Sequence, residues 1–195
     1  NMVLSRDIVE KHKQQLELLL NLSLQALAEV TDLVSEVGQQ KIKVTLDSMD
    51  LVSIDGVKES LSIHGPEMVY VSQRITSSYA SDLLFLMPEL KSVAFMNAIT
   101  REKNKPSRLT ESKKEAFVDI GNIILNCFLR HFSQKFQEPV NSHIPSFNLA
   151  NYETLLQGIV SETRNSGLFY LQLNIKIIDQ VYPGYILWTD PGNLY

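Results

Sequence analysis

"ESKKEAFVDIGNIILNCFLRHF", residues 111–132, reads as a helix with a costly middle. At about 100° per residue, Phe117, Ile120, Ile124, Cys127, Phe128 and His131 share one side, the natural core side. Glu115, Asp119, Asn122 and Asn126, at i, i+4, i+7 and i+11, form a narrow polar stripe on the other side. Val118 and Leu129 border the stripe. A solvated stripe is the ordinary reading, but such stripes are mostly built from Lys, Glu, Gln and Arg. Asp and Asn lower helix propensity and gain nothing mid-helix. Gly121 between them costs about 1 kcal/mol against alanine. It removes a side chain beside the stripe and is expected to let another backbone approach. One local rule is broken at one place, which is where function or strain concentrates.

Working outward, the spacing predicts a helix over about residues 111–136 and a second long helix over about 5–37. In the latter, Leu16, Leu19, Leu20, Leu27, Val30, Leu33, Val34 and Val37 recur at helical spacing and Gly38 is the stop. "KIKVTLDSMDLVSI" alternates from Lys41 as a strand does. "EMVYVSQRIT" and "SDLLFLMP" read as a hairpin turning at "SSYA", and a short helix follows from Pro88 and Glu89 to about Ile99. After a polar linker at about 100–110 the plan repeats. A long helix leads into an extended stretch with Pro139 and Pro145, then a short helix near "NYETLLQGI". "GLFYLQLNIKI" and "YPGYILWTD" close the chain as a hairpin.

Without gaps, "LVSIDGVKESL" from Leu51 lines up with "SFNLANYETLL" from Ser146, setting Val52 on Phe147, Ile54 on Leu149 and Leu61 on Leu156. Shared element order and this similarity predict an internal duplication, with repeats at about 5–99 and 111–195. The expected fold is α+β. It is a single domain over 1–195 with pseudo-twofold symmetry and a largely antiparallel sheet covered by the long helices.

Bulk properties exclude several classes. The chain has 195 residues, 44% hydrophobic and 21% charged, with a formal net charge of −4. That length buries a sizeable core without staples. There is no basic stripe for nucleic acid, only a loose cluster at Arg101, Lys103, Lys105 and Arg108, read as solvated linker. The single cysteine, Cys127, excludes a disulfide framework, fits a reducing cytoplasm and reads as a small core residue. No apolar run is taken as long enough to span a membrane, and no secretory leader pattern opens the chain. His12, His64, His131 and His143 lack metal-ligand spacing, so no metal site is expected. No nucleotide-binding glycine motif or nucleophile elbow occurs.

Glu115, three residues, Asp119, two residues, Asn122, twenty-two residues and Pro145 follow in order. This resembles the signature of the CheC/CheX/FliY chemotaxis phosphatases: an acid or serine, three residues, Glu, two residues, Asn, twenty-two residues, Pro. "GNIILNCFL" and the duplicated plan resemble the family along nearly the whole chain, and the length suits its CheC branch. The resemblance implies hydrolysis of the aspartyl-phosphate of a CheY-like response regulator. Asn122 would orient the attacking water, and Asp119 would pair with the regulator's active-site lysine. Glu115, Gly121 and Asn126 would contact the partner, and Pro145 would shape the turn beside them. Magnesium would belong to the regulator, with no cofactor in this chain. A CheD-like deamidase is a further partner that such relatives take.

Two departures accompany the resemblance. Asp119 is one methylene shorter than the family's Glu. The first long helix offers no acid and amide together, because Leu18 precedes Asn21 and, in the gap-free register, Leu24 and Leu27 face Asp119 and Asn122. One site, on the second long helix, is therefore expected. A binding module of the same fold that docks a regulator or a flagellar-switch partner without hydrolysis is the alternative.

Overall fold

A computed structural model describes residues 6–76, 80–136, 141–142, 144–162 and 168–189. Helix α1 spans Arg6–Gly38 and strand β1 spans Ile42–Val52. Helix α2, Ile54–Leu61, runs into a short 3-10 turn at Ser62–His64. Strands β2, Glu67–Thr76, and β3, Ala80–Pro88, form a hairpin followed by α3, Glu89–Thr100. The second half holds α4, Glu111–Phe136, the two-residue β4, Asn141–Ser142, and β5, Ser146–Asn151. It ends with α5, Tyr152–Glu162, and the hairpin β6, Leu168–Ile177, and β7, Gln180–Thr189. Pro139 and most of the turn at "SSYA" lie outside the described residues.

The strands form one antiparallel sheet in the order β1-β6-β7-β3-β2-β4, with β5 also on β2. The symmetry is legible in that order. The strand that precedes the short helix of each half lies on the hairpin of the other half: β1 on β6, and β5 on β2. The two hairpins meet at β3 and β7. The outer edge of β2 is covered in two pieces. Ser146 faces Ser72 and Ser142 faces Ile75, so the register slips between them, opposite Gln73 and Arg74.

Both sheet faces are covered, which explains the unbroken apolar run of β3. Leu83, Phe85 and Met87 enter the core under the long helices, while Leu84 and Leu86 enter a second core with Val57, Leu61, Leu156 and Ile159 of α2 and α5. A sheet wet on one face would have alternated instead. Among the described residues, helix α1 contains the one apolar segment, within Glu10–Gly38, that by length and composition alone could cross a membrane. This departs from the sequence expectation of no such run. Here α1 packs on β1 and α4 and buries Leu19, Leu22, Ala26, Val30 and Val34, as a core helix does.

The gap-free alignment of the halves is displaced. Ile54 opens α2, whereas Leu149, set against it, lies within β5. The helix starts correspond instead, Ile54 with Tyr152, and the residues before them are both caps. Ser53 Oγ accepts from Gly56 N at 3.3 Å, and Asn151 Oδ1 accepts from Glu153 N at 2.8 Å. The same displacement carries the buried set Leu19, Leu22, Ser23, Ala26, Leu27 and Val30 onto Phe117, Ile120, Gly121, Ile124, Leu125 and Phe128. The exposed Asn21 and Leu24 then stand where α4 has Asp119 and Asn122.

The linker is tied down at several points: Pro106 O accepts from Asn97 Nδ2 at 3.2 Å, and Arg101 bonds the backbone oxygen of Gln39. Lys113, 2% exposed in the first turn of α4, reaches Glu102 at 2.6 Å and also bonds Asn97 of α3.

Candidate functional site

Helix α4 lies on β2, β3 and β5. Phe117, Ile120, Ile124, Leu125, Cys127, Phe128 and Phe132 are all buried, and Phe117 stacks on Phe85 of β3 with ring centres 5.7 Å apart. Burying each such ring is worth roughly 2–3 kcal/mol, so the rotation of the helix is strongly specified. That rotation aims the stripe. Glu115, Asp119 and Asn126 are exposed, and Asn122 is half-buried at the edge of the stripe nearest the sheet.

Asn122 is held from below by Gln73 of β2, a residue that sequence reasoning passed over. Gln73 is 1% exposed, and its Nε2 donates to Asn122 Oδ1 at 2.6 Å and to Asn126 Oδ1 at 3.3 Å. Asn126 Nδ2 donates to Asn122 Oδ1 at 3.2 Å. Three side-chain amides thus form a cluster between β2 and α4. The carbonyl oxygen of Gln73 is buried without a partner, which costs about 1–3 kcal/mol. A signal existed: Val69, Val71, Gln73 and Ile75 alternate on the core face of β2, and only one of them is polar.

Gly121 does not face outward. It is buried, and a Cβ on it would stand 2.7 Å from Val71 Cγ2 and 3.0 Å from Val71 Cβ. The expectation that it leaves space for a partner's loop is corrected: the space is filled by β2 of this chain. Pro145 is half-buried and immediately precedes β5, whose Ser146 faces Ser72, the neighbour of Gln73. Topology therefore brings Pro145 to the stretch of β2 that carries the amide cluster.

The remaining titratable groups nearby are structural. Glu29 of α1 bonds Arg130 of α4 and also meets His131 Nε2 at 2.8 Å. The hydrogen bond from Arg130, aided by that from His131, holds the Glu29 carboxyl below the usual range. Burial pushes the Cys127 thiol up to about 11, with the Glu29 charge adding to the effect, so the thiol is not a nucleophile at neutral pH. Among the described residues, no three His, Cys, Asp or Glu side chains gather where a metal ion could be held.

Among the described residues, the stripe does not line the grooves around α3, the linker or α5. One groove, about 960 Å³, lies between the end of α3 and the β1–β6 edge, lined by Lys41, Lys43, Arg101 and Lys176 among others. The stripe is a convex helix face carrying an acid and an anchored amide one turn apart. Such a face suits insertion into a partner's cleft better than enclosure of a small molecule.

No family model matches the sequence, and no curated protein does. Solved structures do match. FliY of Thermotoga maritima superposes with a TM-score of 0.71 at 16% identity, covering 95% of this chain and 91% of that one. The FliM middle domain of H. pylori gives 0.68 at 9% identity, covering 91% and 93%. A complex of CheX with CheY, BeF3 and magnesium from Borrelia burgdorferi gives 0.53 at 16% identity, covering 86% and 95%. The chain has the CheC/CheX/FliY fold. Within that fold the sequence expectation of α+β architecture with a duplicated antiparallel sheet holds along the chain.

Proposed function

We propose that this chain docks the phosphorylated receiver domain of a CheY-like response regulator on the stripe of α4 and hydrolyses its aspartyl-phosphate. The observation that supports this reading is the pairing of an exposed Asp119 with an amide, Asn122, immobilised on the same outward face. Phosphoryl transfer asks little of a protein beyond positioning and charge management. Asn122 inserts into the receiver's site and holds a water in line with phosphorus. The water oxygen bonds to phosphorus, the bond to the receiver's aspartate breaks, and that aspartate leaves as a carboxylate. Inorganic phosphate carries away the water's hydrogens. Magnesium is held by the receiver. Asp119 pairs with the receiver's lysine, Glu115 adds a polar contact one turn earlier, and Pro145 shapes the adjoining turn. The test is phosphate release from CheY-like receivers phosphorylated with acetyl phosphate, that of B. burgdorferi among them, with and without this chain. Acceleration that Asn122→Ala abolishes supports the reading, and no acceleration with any receiver rejects it.

A second reading is a module of the same fold that binds a regulator or a flagellar-switch partner without hydrolysis. The higher TM-score against the FliM middle domain, 0.68, than against CheX, 0.53, favours it. It predicts receiver binding without any change of dephosphorylation rate.

A further inference from the structure

We propose that Gln73 is the positioning residue of this site: from inside β2 it decides which edge of the Asn122 carboxamide faces a bound partner. This deepens the phosphatase reading and rests on it. A primary amide has an acceptor edge and a donor edge, and a half-turn exchanges them. In the arrangement observed, Asn122 Oδ1 takes donors from Gln73 at 2.6 Å and Asn126 at 3.2 Å, so both of its lone pairs are used within the chain. The edge left for a partner is then Nδ2, a donor. The same Gln73 amide leaves its own oxygen buried and unpartnered.

An attacking water must keep a lone pair on phosphorus, so its hydrogens need an acceptor beside it. Asn122 Oδ1 turned outward supplies one, whereas Nδ2 turned outward competes for the lone pair. Half-turns of Gln73 and Asn122 together bring the unpartnered Gln73 Oε1 to the stripe, where it accepts from Asn122 Nδ2. The paired turn releases Asn122 Oδ1 from both Gln73 and Asn126 and gives the orphaned carbonyl a donor, while Gln73 Nε2 takes the buried place the carbonyl leaves. Gln73 thus couples two states, donor-out in the free chain and acceptor-out in the complex. Gln73 acts through Asn122 and does not touch the phosphate.

The test uses the full chain. Gln73→Met keeps the length and removes both edges. Turnover of an acetyl-phosphate-loaded CheY receiver should fall at least tenfold, with the half-saturating receiver concentration within twofold and the melting temperature not lowered. Turnover within twofold of the parent, or a melting temperature that falls along with turnover as for a merely structural residue, overturns the proposal. Gln73→Glu keeps an acceptor toward the stripe and should retain at least a third of the turnover. It supplies the same readouts should the methionine variant fail to fold, and loss of turnover in it overturns the acceptor-out state. Nitrogen-15 relaxation of the Asn122 side-chain amide separates this inference from the reading beneath it. If the parent chain accelerates nothing, the phosphatase reading fails. Gln73 is then judged by whether the variant loosens that amide, and an amide equally ordered in parent and variant overturns the positioning role.

Discussion

Gly121 and Val71 set how closely α4 approaches β2: a single carbon added to the glycine would stand 2.7 Å from a valine methyl. The neighbour is a branched core side chain with no free end to swing aside. Gly121→Ala should therefore destabilise the fold although alanine is the better helix former. Overpacking costs about 1–3 kcal/mol, and helix propensity returns about 1 kcal/mol. A net loss centred on about 1 kcal/mol and a melting temperature lower by roughly 2–4 °C are expected. Thermal unfolding of the variant checks this, and a stabilised variant would show that the helix can lift off Val71 without cost. Adding Val71→Ala should recover most of the helix-packing strain, a coupling that a double-mutant cycle measures.

Asn122→Ala should leave the fold nearly intact. The side chain is half-buried, and the deletion frees Gln73 Nε2, which keeps Asn126 Oδ1 at 3.3 Å, and Nδ2 of the exposed Asn126, which solvent can satisfy. A change in melting temperature below about 4 °C is expected, alongside complete loss of any acceleration of receiver dephosphorylation. Circular dichroism on the same preparation separates the two effects. A collapse of stability would instead make the amide cluster a structural device.

Much of this site was legible from residues alone. The bounds of α4 follow from Glu111 to Phe136, because six core side chains repeat at helical spacing there. The role of Gly121 was misread, although the same geometry contained the answer. At about 100° per residue, position 121 points between Phe117 and Phe128 on one side and Leu125 and Phe132 on the other. A glycine adds no apolar mark to a helical wheel, so its lack of a side chain was assigned to the wrong surface. Gln73 is a different kind of miss. Its strand was recognised, but that a buried glutamine on β2 meets Asn122 depends on how β2 and α4 are juxtaposed across 49 residues. The repeat register failed for a local reason too: β5 continues to Asn151, so Leu149 is still strand where Ile54 is already helix.

Cys127 should resist modification in the native chain. It is 1% exposed, and burial with the nearby Glu29 charge raises its thiol to about 11. Labelling by a thiol-disulfide reagent at pH 7–8 should be slow and should accelerate sharply only under unfolding conditions. Fast native labelling with a preserved melting temperature would show that the α4 core opens locally.

The clasp between α1 and α4 gives the fold a weak acid dependence. Arg130 and His131 hold the Glu29 carboxyl below its ordinary range. A carboxyl whose folded value is depressed contributes stability above its unfolded value, and that contribution disappears as pH falls through the folded value. The pair is partly exposed, 48% at Arg130 and 33% at Glu29, so solvent screening keeps the contribution within about 1 kcal/mol. Glu29→Gln should lower the melting temperature slightly at pH 7 and leave it unchanged well below pH 4. Equal effects at both pH values would assign the loss to packing rather than charge.

Asp119 is where the two functional readings part most cleanly. It is exposed, and no contact within the described residues fixes it, so its reach is set by side-chain length alone. If Asp119 grips a lysine deep in the receiver's cleft, one methylene more improves that grip or leaves it unchanged. Asp119→Glu should then hold or raise the rate of receiver dephosphorylation. Asp119→Ala should weaken docking about tenfold, which corresponds to about 1.4 kcal/mol. In a module that only binds, Asp119→Glu alters affinity alone, because there is no rate to change. Isothermal titration against a receiver loaded with beryllofluoride gives the affinity, and phosphate release gives the rate. A chain in which Asp119→Ala changes neither does not use this face of α4.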